Sequence, residues 1–395
     1  MTQSSAYKSG RHFLQIPGPS NIPDRVLRAM AKPTADHRGP EFAALTLSVL
    51  DRIKLVFQTS APVLMFPSSG TGAWEAALVN TLSPGDRVLA FETGNFATLW
   101  CNVAKRLGLD VEWVEGDWRH GIDPSIVETK LAEDSNGTIK AVLVVHNETS
   151  TGITNGIAAI RQAMDAAKHP ALLMVDGISS VGSIDLRHDE WGVDVTICCS
   201  QKGLMLPPGI GINVVSDKAL AVSQSAGFAK SYWDWAPVLK MNEKGFYPYT
   251  PPTNLLYGMD AALDMLLEEG MAHVFTRHHR LAEATRKAVV AWELEFCPLI
   301  PSEYSDSLTA VWMPDGHDAD ALRSLILDRF DMSLGTGLGK VKGRVFRIGH
   351  LGDLNDLMLA GTLCGVEMGL GLAGVPHKKG GVDAALEYLS SSITQ

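Results

Sequence analysis

The chain has 395 residues, 46% of them hydrophobic, and a formal net charge of −10. That length exceeds one compact domain of ordinary size and supplies a large core, which predicts one large and one smaller domain and argues against bulk disorder. The acidic balance argues against nucleic acid or an anionic membrane surface as partner, so any anionic ligand must meet a local positive site.

The first 20 residues read as an irregular arm ending in Pro17-Gly18-Pro19-Ser20. Residues 1–10 are polar and lack the apolar region of a signal peptide. Nowhere does a run of about 18 uncharged apolar residues offer a membrane span. Pro23 opens a helix, and a longer helical pattern starts at Pro40. Short apolar runs at 63–67, 87–91, 111–114, 140–146, 171–175, 193–199 and 210–215 predict strands. Helical patterns at 73–82, 99–107, 124–133 and 157–167 lie between them, two of them stopped at Pro84-Gly85 and Gly108. Continuous apolar strands separated by helices predict a parallel sheet covered on both faces. Residues 230–254 set Trp233, Trp235, Tyr247 and Tyr249 among Pro and Gly and predict a long ordered loop; a helical stretch follows at 255–293. Residues 299–371 predict a small α+β domain, and 372–395 an appended tail with a short helix whose last residues are no peroxisomal address.

The five cysteines, Cys101, Cys198, Cys199, Cys297 and Cys364, are scattered and odd in number, which fits a reducing cytosol better than a disulfide framework. Cys198 and Cys199 are adjacent, so on a strand they face opposite ways; no metal site is expected.

Ligands of open α/β sheets gather at the carboxyl ends of the strands, and three candidate groups fall there. Ser68-Ser69-Gly70-Thr71-Gly72 joins a strand to a helix, where main-chain N–H groups and the helix dipole favour phosphate. The turn matches neither a P-loop nor a dinucleotide fingerprint, and taken alone it reads equally as an ordinary capped turn. Asp176 closes an apolar strand. A buried carboxylate needs a partner, and a protonated pyridine nitrogen is one; a turn-capping Asp is the alternative. Lys202, in Ser200-Gln201-Lys202-Gly203, ends the next strand, where desolvation frees an amine to act as nucleophile. A single such Lys would read as a solvated surface residue; its pairing with Asp176 favours chemistry. In the smaller domain, Arg347 lies inside the apolar run Val345-Phe346-Arg347-Ile348-Gly349, where its planar fork suits either a substrate carboxylate or a structural ion pair. His146-Asn147-Glu148-Thr149-Ser150 offers hydroxyls at another strand end, and Tyr247 and Thr250 lie in the aromatic loop, as a lid, an interface or packed side chains.

Together these motifs, with Pro17-Gly18-Pro19-Ser20-Asn21 and the Pro207-Pro208-Gly209 that follows Lys202, resemble the class V, fold-type-I aminotransferases, most closely the serine–glyoxylate and alanine–glyoxylate group. The likeness spans nearly the whole chain, and Gly374-Val375-Pro376-His377 begins a tail similar to bacterial serine–glyoxylate members. The resemblance implies an α/β fold of type I: an arm at 1–20, a large domain at 21–285 that binds pyridoxal 5′-phosphate (PLP) on a mainly parallel sheet sandwiched by helices, and a small C-terminal α+β domain with tail at 286–395. It further implies a cytoplasmic homodimer with active sites at the subunit interface. Lys202 would hold the cofactor as a Schiff base and Asp176 would pair with its ring nitrogen. Ser69, Gly70, Thr71 and Gln201 would hold the phosphate, Thr149 the phenolic oxygen, and Phe96 would stack on the ring. Tyr247 and Thr250 would reach the neighbouring subunit's phosphate. Arg347 would grip the substrate carboxylate, with Gly18 near the substrate.

The reaction so implied is a ping-pong transamination in which Lys202 moves the α-proton. L-Serine is the expected donor and glyoxylate the acceptor, giving hydroxypyruvate and glycine; alanine and aspartate are the alternative donors. A PLP lyase or cysteine desulfurase, and a binding protein that kept the fold, are the rival classes. Residues 231–235 are expected to shape the pocket, and Asp36-His37-Arg38 has no physical account from sequence.

Overall fold

The computed structural model describes residues 9–393; the expected roles of residues 1–8 in the arm and 394–395 in the tail lie outside that span. A seven-stranded sheet runs in the order Val63–Ser68, Gly209–Val215, Val195–Cys199, Leu172–Asp176, Ile139–Val145, Arg87–Phe91, Asp110–Val114. All neighbours are parallel except Gly209–Val215, which runs antiparallel to both strands beside it. The connection 200–208 explains this reversal, because a parallel crossover takes about a dozen residues or more.

Alternate side chains of each central strand enter different cores, as a pleat requires. Val142, Val144, Leu173 and Val175 meet the helices Pro40–Phe57, Ile157–Ala166 and Thr253–Glu269 on one face. Ala141, Leu143, Leu172 and Met174 meet Gly70–Thr81, Asn95–Arg106 and Trp235–Asn242 on the other. The long strands are therefore buried on both sides, and sequence accordingly shows unbroken apolar runs instead of alternation.

A second, five-stranded sheet has the order Phe13–Gln15, Met332–Thr336, Val345–Gly349, Leu308–Trp312, Glu295–Phe296. Its core joins Val311, Phe346 and Ile348 to Leu281, Leu363, Val366, Ala385 and Leu389 from three helices, Met271–Ala291, Asp356–Leu372 and Gly381–Ser391.

The helix Asp217–Ser223 and the short pair Asn147–Glu148 and Ile153–Thr154 add to the expected elements, and three expected segments take a different form. The arm is not wholly irregular: Phe13–Gln15 adds a parallel edge strand beside Met332–Thr336, a pairing of main-chain groups that no local pattern announces. The loop at 230–254 contains the helix Trp235–Asn242, started by the Asp234 side chain accepting from Ala236 N at 3.1 Å, with Pro237 tolerated in the first turn. The stretch 255–293 is two helices, broken at Gly270, whose φ of +82° ends the first.

Candidate active site

One cavity at the carboxyl edge of the seven-stranded sheet is lined by Gly18, Ser69, Gly70, Thr71, Phe96, Thr149, Asp176, Gln201 and Lys202, among others. Their convergence follows from sheet order. Asp176 ends the central strand Leu172–Asp176, in register with Val145 on one side and Ile197 on the other, so the loops leaving both neighbouring strands rise beside it. One loop carries Thr149 and the other Lys202.

Asp176 is 4% exposed. Its Oδ1 accepts from Ile178 N at 2.7 Å and its Oδ2 from the Trp74 indole N–H at 2.9 Å. Burial pushes its carboxyl up to about 7, against the pull of these two hydrogen bonds. Lys202 lies beneath Gly18: its Nζ donates to the Pro17 carbonyl at 2.7 Å, and a Cβ at Gly18 (φ +108°) would overlap its side chain. Burial lowers the Lys202 pKa, the direction that makes the amine available as a base.

Ser69 caps the helix Gly70–Thr81, its hydroxyl accepting from Gly72 N at 3.4 Å. A Cβ at Gly70 would overlap Ile178, and one at Gly72 would overlap Ser68 and Trp233, so the chain here packs as only glycine allows. The first N–H groups of a helix lack acceptors within it, and these lie at the cavity wall. The Gln201 Oε1 is buried without a hydrogen-bond partner among the described residues.

Glu148 was not singled out from sequence. It is fully buried; its carboxylate accepts from the main-chain N–H groups of Phe96, Ala97 and Ser150, each at 3.0 Å, and from the Ser150 hydroxyl at 2.6 Å. It thereby caps the helix Asn95–Arg106 at the turn that carries Phe96. Burial raises its pKa. Trp74 was missed too, although it stands four residues after Gly70, on the side of the helix that faces the turn.

Arg347 comes from the five-stranded sheet and does not line the cavity itself. It is 7% exposed and donates through Nε to the Thr336 carbonyl at 2.8 Å and through Nη1 to the Thr149 carbonyl at 2.7 Å. Burial lowers its pKa to about 10, which leaves it charged at neutral pH. Tyr247 and Thr250 also stand outside the cavity. The Tyr247 hydroxyl is buried with no partner among the described residues, whereas Thr250 is exposed.

Among the described residues no cluster of three or more His, Cys, Asp or Glu is placed to hold a metal, and no helix is long and apolar enough to cross a membrane. Cys101, Cys198, Cys199 and Cys297 are buried free thiols; Cys364 is exposed.

Comparison with known proteins bears on the family and the fold. The family model described as Aminotransferase class-V matches residues 12–338. A serine–glyoxylate aminotransferase of Arabidopsis thaliana is 49% identical over 390 residues, covering 98% of this chain and 97% of that protein. An L-aspartate–glyoxylate aminotransferase of Paracoccus denitrificans is 47% identical, covering 94% and 95%. Among solved structures, the pyridoxamine–pyruvate aminotransferase of Mesorhizobium loti is similar with a TM-score of 0.90 at 27% identity, over 98% of each chain.

Proposed function

The chain belongs to the class-V aminotransferases, and we propose that it moves the amino group of L-serine to glyoxylate, giving hydroxypyruvate and glycine. The observation that carries this reading is a cavity that sets the Lys202 amine and the buried Asp176 carboxyl together, in a chain 49% identical to a serine–glyoxylate aminotransferase.

Pyridoxal 5′-phosphate is the cofactor of this family, and the residues fit it. The start of the helix Gly70–Thr81 offers main-chain N–H groups to a phosphate at the cavity wall, where Ser69, Thr71 and the Gln201 amide add polar groups. Asp176 suits a protonated ring nitrogen, Phe96 a ring face and the Thr149 hydroxyl a phenolic oxygen. When bound, the cofactor supplies a reactive carbonyl carbon and an electron-withdrawing ring. Lys202 would be its covalent anchor.

The protein's part is proton handling and positioning. The Lys202 Nζ, whose neutral form burial favours, would take the proton from the substrate Cα and deliver one to the cofactor's carbonyl carbon, after which water can release the keto acid and leave the amino group behind. Asp176 keeps the proton on the ring nitrogen. Arg347 has engaged two of its five N–H donors with carbonyls, and the remainder serve the substrate carboxylate, beside Gly18.

Thr250, exposed in the aromatic loop, supports a homodimer in which this loop reaches the neighbouring subunit's phosphate site; the Tyr247 hydroxyl, buried within its own subunit, reaches that site only if the loop opens on dimerisation. Residues 21–285 then act as the cofactor-binding domain and 286–395 as the smaller substrate-gripping domain, bridged by the arm and by the helix Met271–Ala291, whose Leu281 already packs in the smaller core. The scattered thiols favour a cytoplasmic enzyme.

A desulfurase needs a reactive thiolate at the site. Cys199, which lines the cavity, is pushed up to about 12 by burial, and Cys364 lies on the helix Asp356–Leu372, outside the cavity. The test is kcat/KM for serine, alanine and aspartate, each with glyoxylate. Serine leading by tenfold or more, about 1.4 kcal/mol, supports the proposal; aspartate or alanine leading overturns the donor, and no transfer from any of them overturns the function.

A further inference from the structure

We propose that Trp74 is a positioning residue for Asp176: its indole N–H fixes one carboxylate oxygen and favours the ionised form that the cofactor's ring nitrogen requires. The inference rests on the proposed role of Asp176 and adds a residue to it.

Trp74 follows Gly70 by one helical turn, so its ring stands over the side of the helix that faces the cavity. The ring is 2% exposed and stacks on Trp100, with centroids 6.0 Å apart and planes 13° from parallel. Trp100 belongs to the helix Asn95–Arg106, which also carries Phe96. Trp74 is thus clamped between two helices of the site and cannot swing away without opening the core. An indole N–H can only donate, and a buried donor demands an acceptor. The acceptor is Asp176 Oδ2 at 2.9 Å, while Oδ1 takes the Ile178 N–H at 2.7 Å. One donor on each oxygen fixes the plane of the carboxylate and leaves lone pairs for a ligand in the cavity.

The charge state is balanced on the same contacts. Burial and the acid Glu148, from the loop after Ile139–Val145, favour the protonated form. The Ile178 and Trp74 hydrogen bonds favour the carboxylate, as does Lys202, from the loop after Val195–Cys199. The thiols of Cys198 and Cys199 are the remaining titratable groups nearby, and burial keeps both protonated. These opposing effects leave the carboxyl near 7, so losing one donor moves much of the population to the neutral acid at physiological pH. A neutral carboxylic acid carries its own proton and no longer holds one on the ring nitrogen.

The experiment is a 13C NMR titration of cofactor-free protein labelled at the Asp carboxyl carbons, with the Asp176 signal assigned by its absence in Asp176→Asn. In Trp74→Phe, which keeps an aromatic ring against Trp100, the Asp176 midpoint should rise by about one pH unit or more, the size expected for one hydrogen bond to a charged group. The PLP dissociation constant of that variant should rise several-fold at pH 7 and approach the wild-type value as the pH climbs past the shifted midpoint. An unmoved midpoint overturns the inference; so does weakening of the same size at every pH, which would mark Trp74 as packing only. A readout independent of how well Trp74→Phe folds comes from the wild-type chain. One of its nine indole N–H resonances should titrate with the Asp176 midpoint and fall silent in Asp176→Asn; nine unresponsive signals overturn the inference. Failure of the proposed reaction is a separate result: transamination by Lys202→Ala at the wild-type rate would sink that reading and leave these titrations untouched.

Discussion

Arg347 and Thr149 are joined across the two sheets: the guanidinium of one, from the strand Val345–Gly349, donates to the main-chain carbonyl of the other at 2.7 Å. Thr149 lines the cavity and Arg347 does not, so this bond brings a cation from the smaller sheet to the rim of a site built by the larger one. The guanidinium is aimed by protein carbonyls at Thr336 and Thr149 before any substrate arrives.

That arrangement predicts the behaviour of Arg347→Lys. The charge is kept, but an ammonium cannot span both carbonyls and a carboxylate as the planar fork does. We expect kcat/KM for amino acid and keto acid to fall about 100-fold, near 3 kcal/mol, mostly through KM. Steady-state kinetics with both substrates checks this; an unchanged KM for both would remove Arg347 from the carboxylate site.

Lys202→Ala should lose nearly all turnover and the visible absorbance of the bound cofactor. Because the native amine is partly dehydrated, its removal should not lower the Tm of the cofactor-free protein. Absorbance spectra, single-turnover assays and calorimetry together decide it, and normal turnover by the variant refutes the assignment.

Asp176 makes the cofactor-free protein sensitive to pH. A carboxyl that folding pushes up from 3.8 to about 7 binds its proton more tightly in the folded chain. Its stabilising contribution is therefore whole below about pH 4 and is lost as pH rises through about 7. Asp176→Asn abolishes this dependence. Without cofactor, the variant should gain on the wild type by a few kcal/mol between pH 5 and 8, as read from Tm against pH. A constant difference across that range would contradict the raised value.

Glu148→Ala removes the acceptor for three main-chain N–H groups and a hydroxyl at once. Buried donors left without partners predict a loss of about 3 kcal/mol in stability. A weaker hold on the cofactor should accompany it, since Phe96 rides on the uncapped turn. Denaturant unfolding and cofactor titration measure the two effects; retained affinity in a destabilised protein would separate the cap from the site.

Much of the site was legible from local pattern. The unbroken apolar runs predicted strands buried on two faces, and the abrupt polar residues at their ends, Asp176, Lys202 and Ser69, stood out because a side chain of that kind at that place is costly unless it has a partner. The surface interpretation of Lys202 was set aside by its pairing with Asp176, and sheet order accounts for that pair, since strands 172–176 and 195–199 are neighbours; the capping roles expected of Ser69 and Asp176 are also present in the structure.

What local pattern does not carry is who meets whom across the sequence. Residue periodicity reports burial and chain direction, which depend on nearest neighbours along the chain. The pairing of Phe13–Gln15 with Met332–Thr336, the reversal of Gly209–Val215, and the bonds from Trp74 to Asp176 and from Arg347 to Thr149 join positions far apart in sequence. The chain alone determined the fold class and the two groups expected to do the chemistry. Only the packed tertiary structure decided which donors hold Asp176, which carbonyls aim Arg347 and which carboxylate caps the Phe96 turn, because those contacts exist only once separate elements have closed on one another.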